Sequence, residues 1–481
     1  MRSGWFERIQ MQKNQEITLK IESMNNYGSG VARTEDHQVV FVNGAVTGDR
    51  VVAKIIKINA SYATARLVTV LDESPLRSRE RDCGAPESCG GCVYRHIRYE
   101  EELRQKKEDV IHAFRKNGLK DVFVEDVHTL SSPLRYRNKA QYPVTMTKKG
   151  ISFGFFERKT HKVIPSKGCL LQPECFDKIA ESVCSFAEEN HWSVYNETDR
   201  KGLLRHIYLR RGEVSGEILL CLVTNGNQIP NEAGFVSCMV QEFPDIVGIL
   251  LNDNRENSNV VLSDNYRCIY GKEWMEDRLC GLNFHIGPAS FYQVNHDGAE
   301  LLYRIAKEKA DLNKDQTILD LFCGVGTIGL YFSSDVKEVI GVEIVPEAIQ
   351  CAKENAELNQ IQNASFYCAD ASGLETLLQK HNILVDGVIL DPPRKGVTPA
   401  LIQTISDNHI PKIVYISCNA DTQARDCAIF QEFGYSVGTV SPVDMFPGTG
   451  HVETVCCLYH QKKDFISVPY EPRNAEYLKK N

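Results

Sequence analysis

Long apolar stretches are missing from this sequence of 481 residues. The longest, residues 218–223, has the length of one buried strand and falls far short of the ~20 residues that cross a bilayer. Residues 1–15 are polar and charged, without the apolar core of a signal peptide. We therefore expect a cytoplasmic protein with no membrane partner.

The cysteine pattern does not fit a secreted disulfide framework. The chain has 17 cysteines, an odd number, and no export signal. In a cytosolic protein such thiols ligate metals, catalyse reactions or simply fill the core. We assign the last role to the cysteines that stand alone in apolar patterns, which are Cys184, Cys221, Cys238, Cys268 and Cys351.

Acidic charge does not dominate the first third of the chain, although the net charge is −8. Residues 1–170 contain 29 Lys and Arg against 20 Asp and Glu, a local excess of +9, and the remainder carries −17. A basic region ahead of an acidic one is typical of a polyanion-binding part joined to a catalytic body. A solvated surface of mixed charge accounts for the same numbers equally well.

Helical periodicity is absent between residues 12 and 73. Short β-rich runs occur there, separated by turn residues, and they predict a small β-barrel. With its turn Tyr27-Gly-Ser-Gly-Val-Ala32, the region resembles a TRAM domain, an oligonucleotide-binding-like barrel of RNA-modifying enzymes. A barrel without a nucleic-acid role has the same pattern. The runs are residues 16–21, 38–42, 50–56 and 63–70.

Three thiols, Cys83, Cys89 and Cys92, stand close together in the next segment. Such a loop can wrap a metal centre, and soft thiolates select zinc or an iron–sulfur cluster. A fourth ligand must come from elsewhere, and Cys169 and Cys175 are the nearest downstream candidates. The C-x5-C-x2-C spacing differs from the C-x3-C-x2-C loop of radical enzymes, and it leaves both zinc and an iron–sulfur cluster open.

Residues 74–284 are predicted to form a central, mostly β domain that carries this loop. A charged helix is predicted at residues 97–118. Residues 135–139 and 205–211 then place basic and aromatic side chains in β-like contexts, a mixture that suits stacking on unpaired bases and contact with phosphates. An ordinary half-exposed strand is the simpler interpretation of any single residue among them.

Residues 285–462 alternate strands and helices, which predicts a Rossmann-like α/β domain with a mostly parallel sheet, and residues 463–481 form a polar tail. A turn with Gly324, Gly326 and Gly329 follows the first strand, and its spacing alone allows NAD as the ligand. The predicted strands are residues 317–320, 338–343, 364–368, 386–390 and 412–417. Acids stand at four successive strand ends, namely Asp320, Glu343, Asp370 and Asp391.

Residues able to do chemistry follow the last strands of this domain. Asp391-Pro-Pro-Arg-Lys-Gly396 forms a rigid turn that can hold a carboxylate against a substrate. Cys418 comes directly after the next strand, at the same rim, where a thiol can act as a nucleophile. Further on, His451 and Glu453 begin a strand edge, and Glu453 is a candidate general base.

Four motifs occur in order: Asp-Leu-Phe-Cys-Gly-Val-Gly, Asp-Pro-Pro-Arg-Lys-Gly, Ile-Ser-Cys-Asn and Pro-x-Thr-x-His-Val-Glu. Together they resemble the RNA uracil-5-methyltransferases, in particular the 23S ribosomal RNA type with a TRAM barrel and a [4Fe-4S] cluster. The resemblance implies S-adenosylmethionine rather than NAD. The implied cluster ligands are Cys83, Cys89, Cys92 and Cys169, which selects Cys169 over Cys175. Gln293, Phe322, Glu343 and Asp391 match cofactor-contacting positions of that family. With Gly324 of the glycine turn and Asp370 at a strand end, they form the predicted cofactor-binding set.

The same resemblance implies the reaction. Cys418 would attack carbon 6 of uracil, carbon 5 would take the methyl group, and Glu453 would remove the carbon 5 proton. The substrate would be an unpaired or flipped uridine in 23S ribosomal RNA, with transfer RNA as the alternative. We expect no DNA partner, a monomeric protein, and residues 97–125 folded onto the catalytic domain.

Three other functions fit parts of the sequence. An amino-methyltransferase would have an aromatic residue where Arg394 follows the two prolines, and it would not use Cys418. A cytosine-5-methyltransferase would have proline in place of Ser417. An RNA-binding protein with an inactive methyltransferase body would have lost Cys418 or Glu453, and both are present.

Overall fold

The computed structural model describes residues 11–370, 373–381 and 384–460. The polar tail predicted at residues 463–481 lies outside the described residues. The described part contains three large β-sheets, one separate β-hairpin and nine helices. None of these helices combines the length and the apolar character of a membrane span.

The N-terminal sheet is built from β1 (Glu16–Lys20), β2 (Ser23–Met24), β3 (Ser29–Arg33), β4 (Val39–Asn43), β5 (Arg50–Ile58) and β6 (Tyr62–Asp72). Its strand order is β1-β5-β6-β4-β3-β2, and only β4 and β6 are parallel neighbours. Alternating side chains such as Val40, Val42, Val51 and Ala53 fill its interior. The predicted barrel-like sheet is present, with β2 and β3 as two short strands that the sequence pattern did not predict.

Helix α1 (Tyr99–Lys116) follows the cysteine-containing loop. Three acids in its first turn and two basic residues in its last turn complement the helix dipole. Its apolar stripe of Val110, Ala113 and Phe114 is buried in one hydrophobic cluster with residues of the C-terminal sheet, such as Leu319 and Tyr415. The helix is therefore packed on the C-terminal domain, although the central sheet follows it in sequence.

The central sheet has the order β13-β12-β11-β10-β7-β8-β9 and is antiparallel except between β11 and β12, which α3 connects. Helices α2 and α3 pack on this sheet through residues such as Phe176, Val183 and Phe235. The prediction of a mostly β domain is therefore incomplete, because it leaves out both helices. The elements are β7 (Lys139–Thr147), β8 (Gly150–Phe156), β9 (Val163–Pro165), α2 (Glu174–Glu189), β10 (Leu204–Arg211), β11 (Ile218–Thr224), α3 (Glu232–Glu242), β12 (Ile246–Asp253) and β13 (Tyr266–Gly271).

The hairpin β14 (Met275–Leu279) and β15 (Leu282–Ile286) leads into the C-terminal domain. The remaining elements are α4 (His296–Ala310), β16 (Thr317–Leu321), α5 (Thr327–Phe332), β17 (Glu338–Glu343), α6 (Pro346–Leu358), β18 (Ala364–Cys368), α7 (Leu374–His381), β19 (Gly387–Leu390), α8 (Pro399–Asp407), β20 (Lys412–Ser417), α9 (Ala420–Glu432), β21 (Tyr435–Val437), β22 (Ser441–Val443) and β23 (Glu453–His460).

The C-terminal sheet has the order β18-β17-β16-β19-β20-β23-β21, with β22 also paired to β23. Its first five strands are parallel and β23 is antiparallel, which confirms the predicted mostly parallel sheet. The strand order reverses at β16 and β19. In open α/β sheets this switch point opens a crevice at the carboxyl ends of the strands, where ligands bind.

Both faces of the C-terminal sheet are buried. Ile318 and Ile389 belong to the hydrophobic cluster on one face, whereas Leu319 and Leu390 belong to the cluster on the other. Side chains alternate in this way because successive residues of a strand point to opposite faces. Helices on both faces hold the strands in place, so the residues that follow each strand occupy fixed positions at the crevice.

Candidate active site

The turn after β16 is closed toward the sheet and open toward the crevice. Phe322 and Gly324 both have positive φ, 64° and 53°, and the Phe322 N–H donates to the carbonyl of Val342 on β17 (3.0 Å). A Cβ on Gly329 would lie 2.7 Å from Oδ2 of Asp320, whereas a Cβ on Gly324 would meet no atom within 4 Å. A ligand can therefore approach the backbone closely at Gly324.

Glu343 ends β17 beside this turn. Its Oε1 accepts from the N–H groups of the next two residues (2.8 and 3.0 Å), and its Oε2 accepts from the N–H of Gly324 (3.3 Å). Asp370 lies two residues beyond β18 on the same edge of the sheet. The intervening Ala369 donates its N–H to the carbonyl of Glu343 (3.0 Å). Three of the predicted cofactor-binding residues thus share one edge.

The buried hydroxyl of Tyr303, on α4, connects two more of them. Its oxygen lies 3.3 Å from Oγ1 of Thr327 at the start of α5. It also forms a hydrogen bond with the side chain of Gln293. Burial raises the pKa of Tyr303, and the nearby charge of Asp391 raises it further. Gln293 and Asp391 therefore meet around the same hydroxyl group.

Carboxyl groups make the crevice acidic. Oδ2 of the buried Asp320 accepts from the N–H of Gly329 (2.9 Å), while its Oδ1 has no partner among the described residues. Burial raises the pKa of Asp320 to about 7, and Asp391 and Glu343 add to the rise. Burial also raises the pKa of Asp391 to about 7. Such a crevice repels the pyrophosphate of NAD and attracts the positively charged sulfonium of S-adenosylmethionine, so the donor set fits the latter.

Cys418 and Glu453 are neighbours across the sheet. The register of β20 and β23 ends with Ser417 opposite Thr454, and Cys418 and Glu453 are the next residues beyond this pair. Burial raises the pKa of Cys418, and the charge of Glu453 raises it further. Burial likewise raises the pKa of Glu453 to about 8.

The guanidinium of Arg394 lies near Cys418 and Glu453. Arg394 stands in the turn after β19, and its carbonyl accepts from the side-chain amide of Asn419 at the start of α9 (3.1 Å). Its guanidinium donates to Nδ1 of His451 (2.8 Å). The same guanidinium opposes the burial that raises the pKa of Cys418 and of Glu453. It therefore favours the ionised forms of both groups.

The thiol opens into a cleft of about 850 Å³ that three parts of the chain enclose. The N-terminal sheet contributes Tyr27, which is 71% exposed. The central sheet contributes Arg137 and Lys139, and the C-terminal domain contributes Cys418 and His451. An exposed ring, cations and a nucleophile around one cleft suit an unstacked base of a single-stranded nucleic acid.

The loop of residues 444–450, which leads from β22 to β23, is held from several sides. The carbonyl of Gly448 accepts from the N–H of Val93 (2.8 Å), which lies just after the cysteine loop. The N–H of Gly448 donates to the carboxylate of Glu102 on α1 (2.7 Å). A Cβ on Gly450 would lie 1.8 Å from the carbonyl oxygen of Asn26 in the N-terminal sheet. All three parts of the chain therefore fix the approach to Glu453.

Three of the four candidate cluster ligands line one small hollow. Cys83, Cys92 and Cys169 line it, and Cys175 lines a different pocket. Burial raises the pKa of Cys92 to about 12, and Cys169, Cys83 and Cys89 add to the rise. Among the described residues no three potential ligands converge on a single metal ion. Within the part of the chain that the structure describes, the arrangement of these cysteines therefore identifies neither a zinc site nor a cluster site.

Two residues of the site, Tyr303 and Arg394, were not among the site residues predicted from the sequence. Tyr303 has the helical spacing of an ordinary core aromatic, and only the fold turns its hydroxyl toward Gln293 and Asp391. Arg394 could have been found, because two prolines fix the backbone of the turn from which it extends.

Comparisons with known proteins identify the family of this chain. Residues 98–462 match the family model described as tRNA (Uracil-5-)-methyltransferase, and residues 10–68 match the TRAM domain. A Bacillus cereus protein described as an uncharacterized RNA methyltransferase is 37% identical over 454 residues, which cover 94% of this chain and 98% of that protein. A Clostridium tetani protein with the same description is 37% identical over 457 residues, covering 95% and 99%.

Among solved structures, the Pyrococcus abyssi tRNA (uracil-54, C5)-methyltransferase in complex with S-adenosyl-L-homocysteine is similar over 92% of this chain and 100% of that chain. The TM-score is 0.74 and the sequence identity 27%. This chain therefore belongs to the RNA (uracil-5-)-methyltransferase family and is an S-adenosylmethionine-dependent RNA methyltransferase with an N-terminal TRAM domain.

Proposed function

We propose that this enzyme methylates carbon 5 of a uridine in 23S ribosomal RNA, with Cys418 as the nucleophile and Glu453 as the general base. One observation carries the proposal. Cys418 and Glu453 come from distant parts of the chain but lie at the ends of neighbouring strands, where the charge of Glu453 raises the pKa of Cys418. Arg394 lies beside both, and Asp391 acts on both through its charge.

The first step activates the uracil ring, whose carbon 5 is a poor nucleophile. The thiolate of Cys418 adds to carbon 6, and the electrons of the carbon 5–carbon 6 double bond move toward oxygen 4 to give an enolate. Arg394 assists because its positive charge favours the thiolate. S-adenosylmethionine, when bound, supplies an electrophilic methyl group, which carbon 5 of the enolate accepts.

The second step restores the ring. Glu453 takes the proton from carbon 5, and the electrons that return to the ring expel Cys418 from carbon 6. A carboxylate is a better proton acceptor when its pKa is high, and burial raises the pKa of Glu453 to about 8. Asp391, at the same rim, can orient the base by hydrogen bonds.

The cofactor-binding residues form the other half of the proposal. Glu343 would accept from ribose hydroxyls, and Gly324 would let the cofactor approach the backbone. The complete proposed set is Gln293, Phe322, Gly324, Glu343, Asp370 and Asp391. Cys83, Cys89, Cys92 and Cys169 are proposed to hold a [4Fe-4S] cluster. Three of them line one hollow, and Cys89 is close enough to Cys92 to raise its pKa, which supports the proposal.

Transfer RNA is the second candidate substrate. It is favoured by the Pyrococcus abyssi structure, which is described as a tRNA (uracil-54, C5)-methyltransferase. The proposed chemistry is the same for both RNAs, because the residues around Cys418 act on the base. The choice between them therefore needs an experiment with both RNAs.

We would incubate the enzyme and S-adenosylmethionine with 5-fluorouridine-substituted 23S ribosomal RNA or transfer RNA. Fluorine cannot leave as a proton, so the reaction should stop at an adduct that survives denaturant. We expect the adduct with wild type, none with Cys418→Ala, and wild-type yield with Cys238→Ala, a partly exposed thiol on α3. Methyl transfer to unsubstituted RNA without any adduct would overturn the mechanism, and an adduct with transfer RNA alone would overturn the ribosomal assignment.

A further inference from the structure

The two basic stretches of the central domain come together in the structure. Residues 135–139 lead into β7, and residues 205–211 lie in β10. These two strands are antiparallel neighbours, with Lys139 directly opposite Arg210. The six cations of the two stretches can therefore be compared by what each of them contacts.

Three of these cations have structural partners. Arg135 donates to the carbonyl of Cys169 (2.7 Å). Arg205 is buried and donates to two backbone carbonyls (2.7 and 3.1 Å). Arg211 forms an ion pair with Glu213 (3.6 Å). Their charges are engaged within the protein, and a phosphate is not needed to balance them.

The other three, Arg137, Lys139 and Arg210, form no ion pair within the part of the chain that the structure describes. Arg210 is buried, and its donors contact the hydroxyl of Tyr208 (2.8 Å) and the carbonyl of Ser290, which are both neutral. Like charges opposite each other on neighbouring strands are destabilising. Burial, together with the charges of Arg210 and Arg137, lowers the pKa of Lys139 to about 8. Without an anion, this arrangement is electrostatically unfavourable.

The unpaired cations lie at the active-site cleft. Arg137, Lys139 and Gln141 occupy alternate positions, so they share one face of the sheet, and all three line the cleft that contains Cys418. Acids also line this cleft, but they lie on the helices of the opposite wall: Asp109 accepts from Gln105, and Asp421 pairs with Lys116.

We propose that Arg137 and Lys139, with Arg210 behind them, form a binding site for a backbone phosphate of the RNA beside the uridine that enters the cleft. The proposal rests on the proposed function only for the nature of the polyanion. A phosphate held here would pair with charges that are otherwise unbalanced, and it would anchor the strand while the base turns toward Cys418.

The test is the salt dependence of RNA binding, measured by fluorescence anisotropy with a labelled oligouridylate and no S-adenosylmethionine. On a single strand, each phosphate contact contributes about 0.7 to the slope of log K against log salt. We expect Arg137→Gln and Lys139→Gln each to weaken binding about tenfold and to reduce this slope by about 0.7. Arg211→Gln, which removes a paired cation outside the cleft, should leave affinity and slope unchanged. Circular dichroism of each variant shows whether it folds.

Unchanged slopes in folded Arg137→Gln and Lys139→Gln would overturn the proposal, and so would an equal loss in Arg211→Gln. Because the assay contains no methyl donor, it does not depend on the site of methylation. If the enzyme fails to methylate carbon 5 of uridine while both slopes fall, the phosphate site stands and the proposed function does not.

Discussion

The ammonium of Lys106 lies 2.7 Å from Oδ1 of Asp444, and both side chains are buried. Lys106 also contacts Glu102 of α1 (2.8 Å), which in turn pairs with Arg81, two residues before Cys83. Two cations and two anions thus balance each other inside the protein. They tie α1 to the start of the loop that leads to Glu453, so a helix from outside the C-terminal sheet helps to fix the position of Glu453.

Replacing Lys106 by methionine should therefore destabilise the protein. The substitution leaves Asp444 and Glu102 with one cation between them, and removing one partner of a buried ion pair costs about 3–5 kcal/mol. Urea denaturation measures the loss. Lys107→Met is the matched control, because Lys107 pairs with the exposed Asp126 and should change the free energy of unfolding by less than about 1 kcal/mol.

The double variant Lys106→Met with Asp444→Asn sharpens this test. It removes one charge of each sign and leaves the pair of Arg81 and Glu102 intact, so it should be more stable than Lys106→Met alone. If Lys106→Met and Lys107→Met have the same urea midpoint, the buried network does not stabilise the fold.

Replacing Glu453 by glutamine should trap the methylated intermediate. Glutamine keeps the size of the side chain but cannot take the carbon 5 proton, so the RNA stays attached to Cys418 after methyl transfer. Turnover should fall by about 10²–10⁴-fold, the usual contribution of a general base. A labelled methyl group should migrate with the protein in a denaturing gel, with ordinary uridine in the RNA.

Glu432→Gln, at the exposed end of α9, should turn over normally and trap nothing. Normal turnover by Glu453→Gln would rule out Glu453 as the base. An adduct without a methyl group would place the function of Glu453 before methyl transfer.

The sequence predicts the residues that follow strands better than those that meet through packing. Asp391 and Cys418 could be assigned to the crevice because apolar runs end just before them, and parallel strands present their carboxyl ends at one edge. Each of the five predicted parallel strands is confirmed to within one residue at either end. Such runs are recognisable because both faces of these strands are buried.

Contacts between parts of the chain that are distant in sequence could not be predicted in this way. Lys106 and Lys107 are adjacent lysines in a charged helix, and only the position of α1 on the C-terminal domain decides which one is buried. Helices α2 and α3 were missed within a region that reads as strands. Among the six cations of the basic stretches, the sequence could not separate the paired from the unpaired, because their partners come from distant residues such as Asn254 and Ser290.

Asp320 should make the stability of the protein depend on pH. Its pKa is about 7 in the folded protein, above the ordinary value of 3.8, because it is buried. The folded state therefore binds this proton more tightly, so the contribution is fully present below about pH 4 and is lost as the pH rises through 7. The free energy of unfolding should fall between pH 5 and pH 8.

Asp320→Asn should reduce this fall by about 3 kcal/mol, because about two pKa units of the shift lie between pH 5 and the folded pKa of about 7. Asp315→Asn, in the exposed turn before β16, should leave the pH dependence of wild type unchanged. Urea denaturation at several pH values measures both. If the free energy of unfolding of the wild type rises from pH 5 to pH 8, and Asp320→Asn removes this rise, the raised pKa of Asp320 is contradicted.

Arg394 should control the reactivity of Cys418. Burial raises the pKa of this thiol, Glu453 and Asp391 raise it further, and Arg394 opposes them by charge and by a hydrogen bond. Arg394→Met removes the opposing group, so the pKa of Cys418 should rise and the thiolate fraction at a fixed pH near 8 should fall, by up to about tenfold. The rate of alkylation by iodoacetamide, followed by mass spectrometry of the peptide that contains Cys418, should fall in proportion.

Lys395→Met is the matched control, because it removes the exposed neighbouring cation. Its Cys418 should be alkylated at the wild-type rate. Equal rates in all three proteins would show that the thiolate fraction of Cys418 does not depend on Arg394. A slow rate in Arg394→Met alone, which recovers at higher pH, would show that the guanidinium of Arg394 lowers the pKa of Cys418.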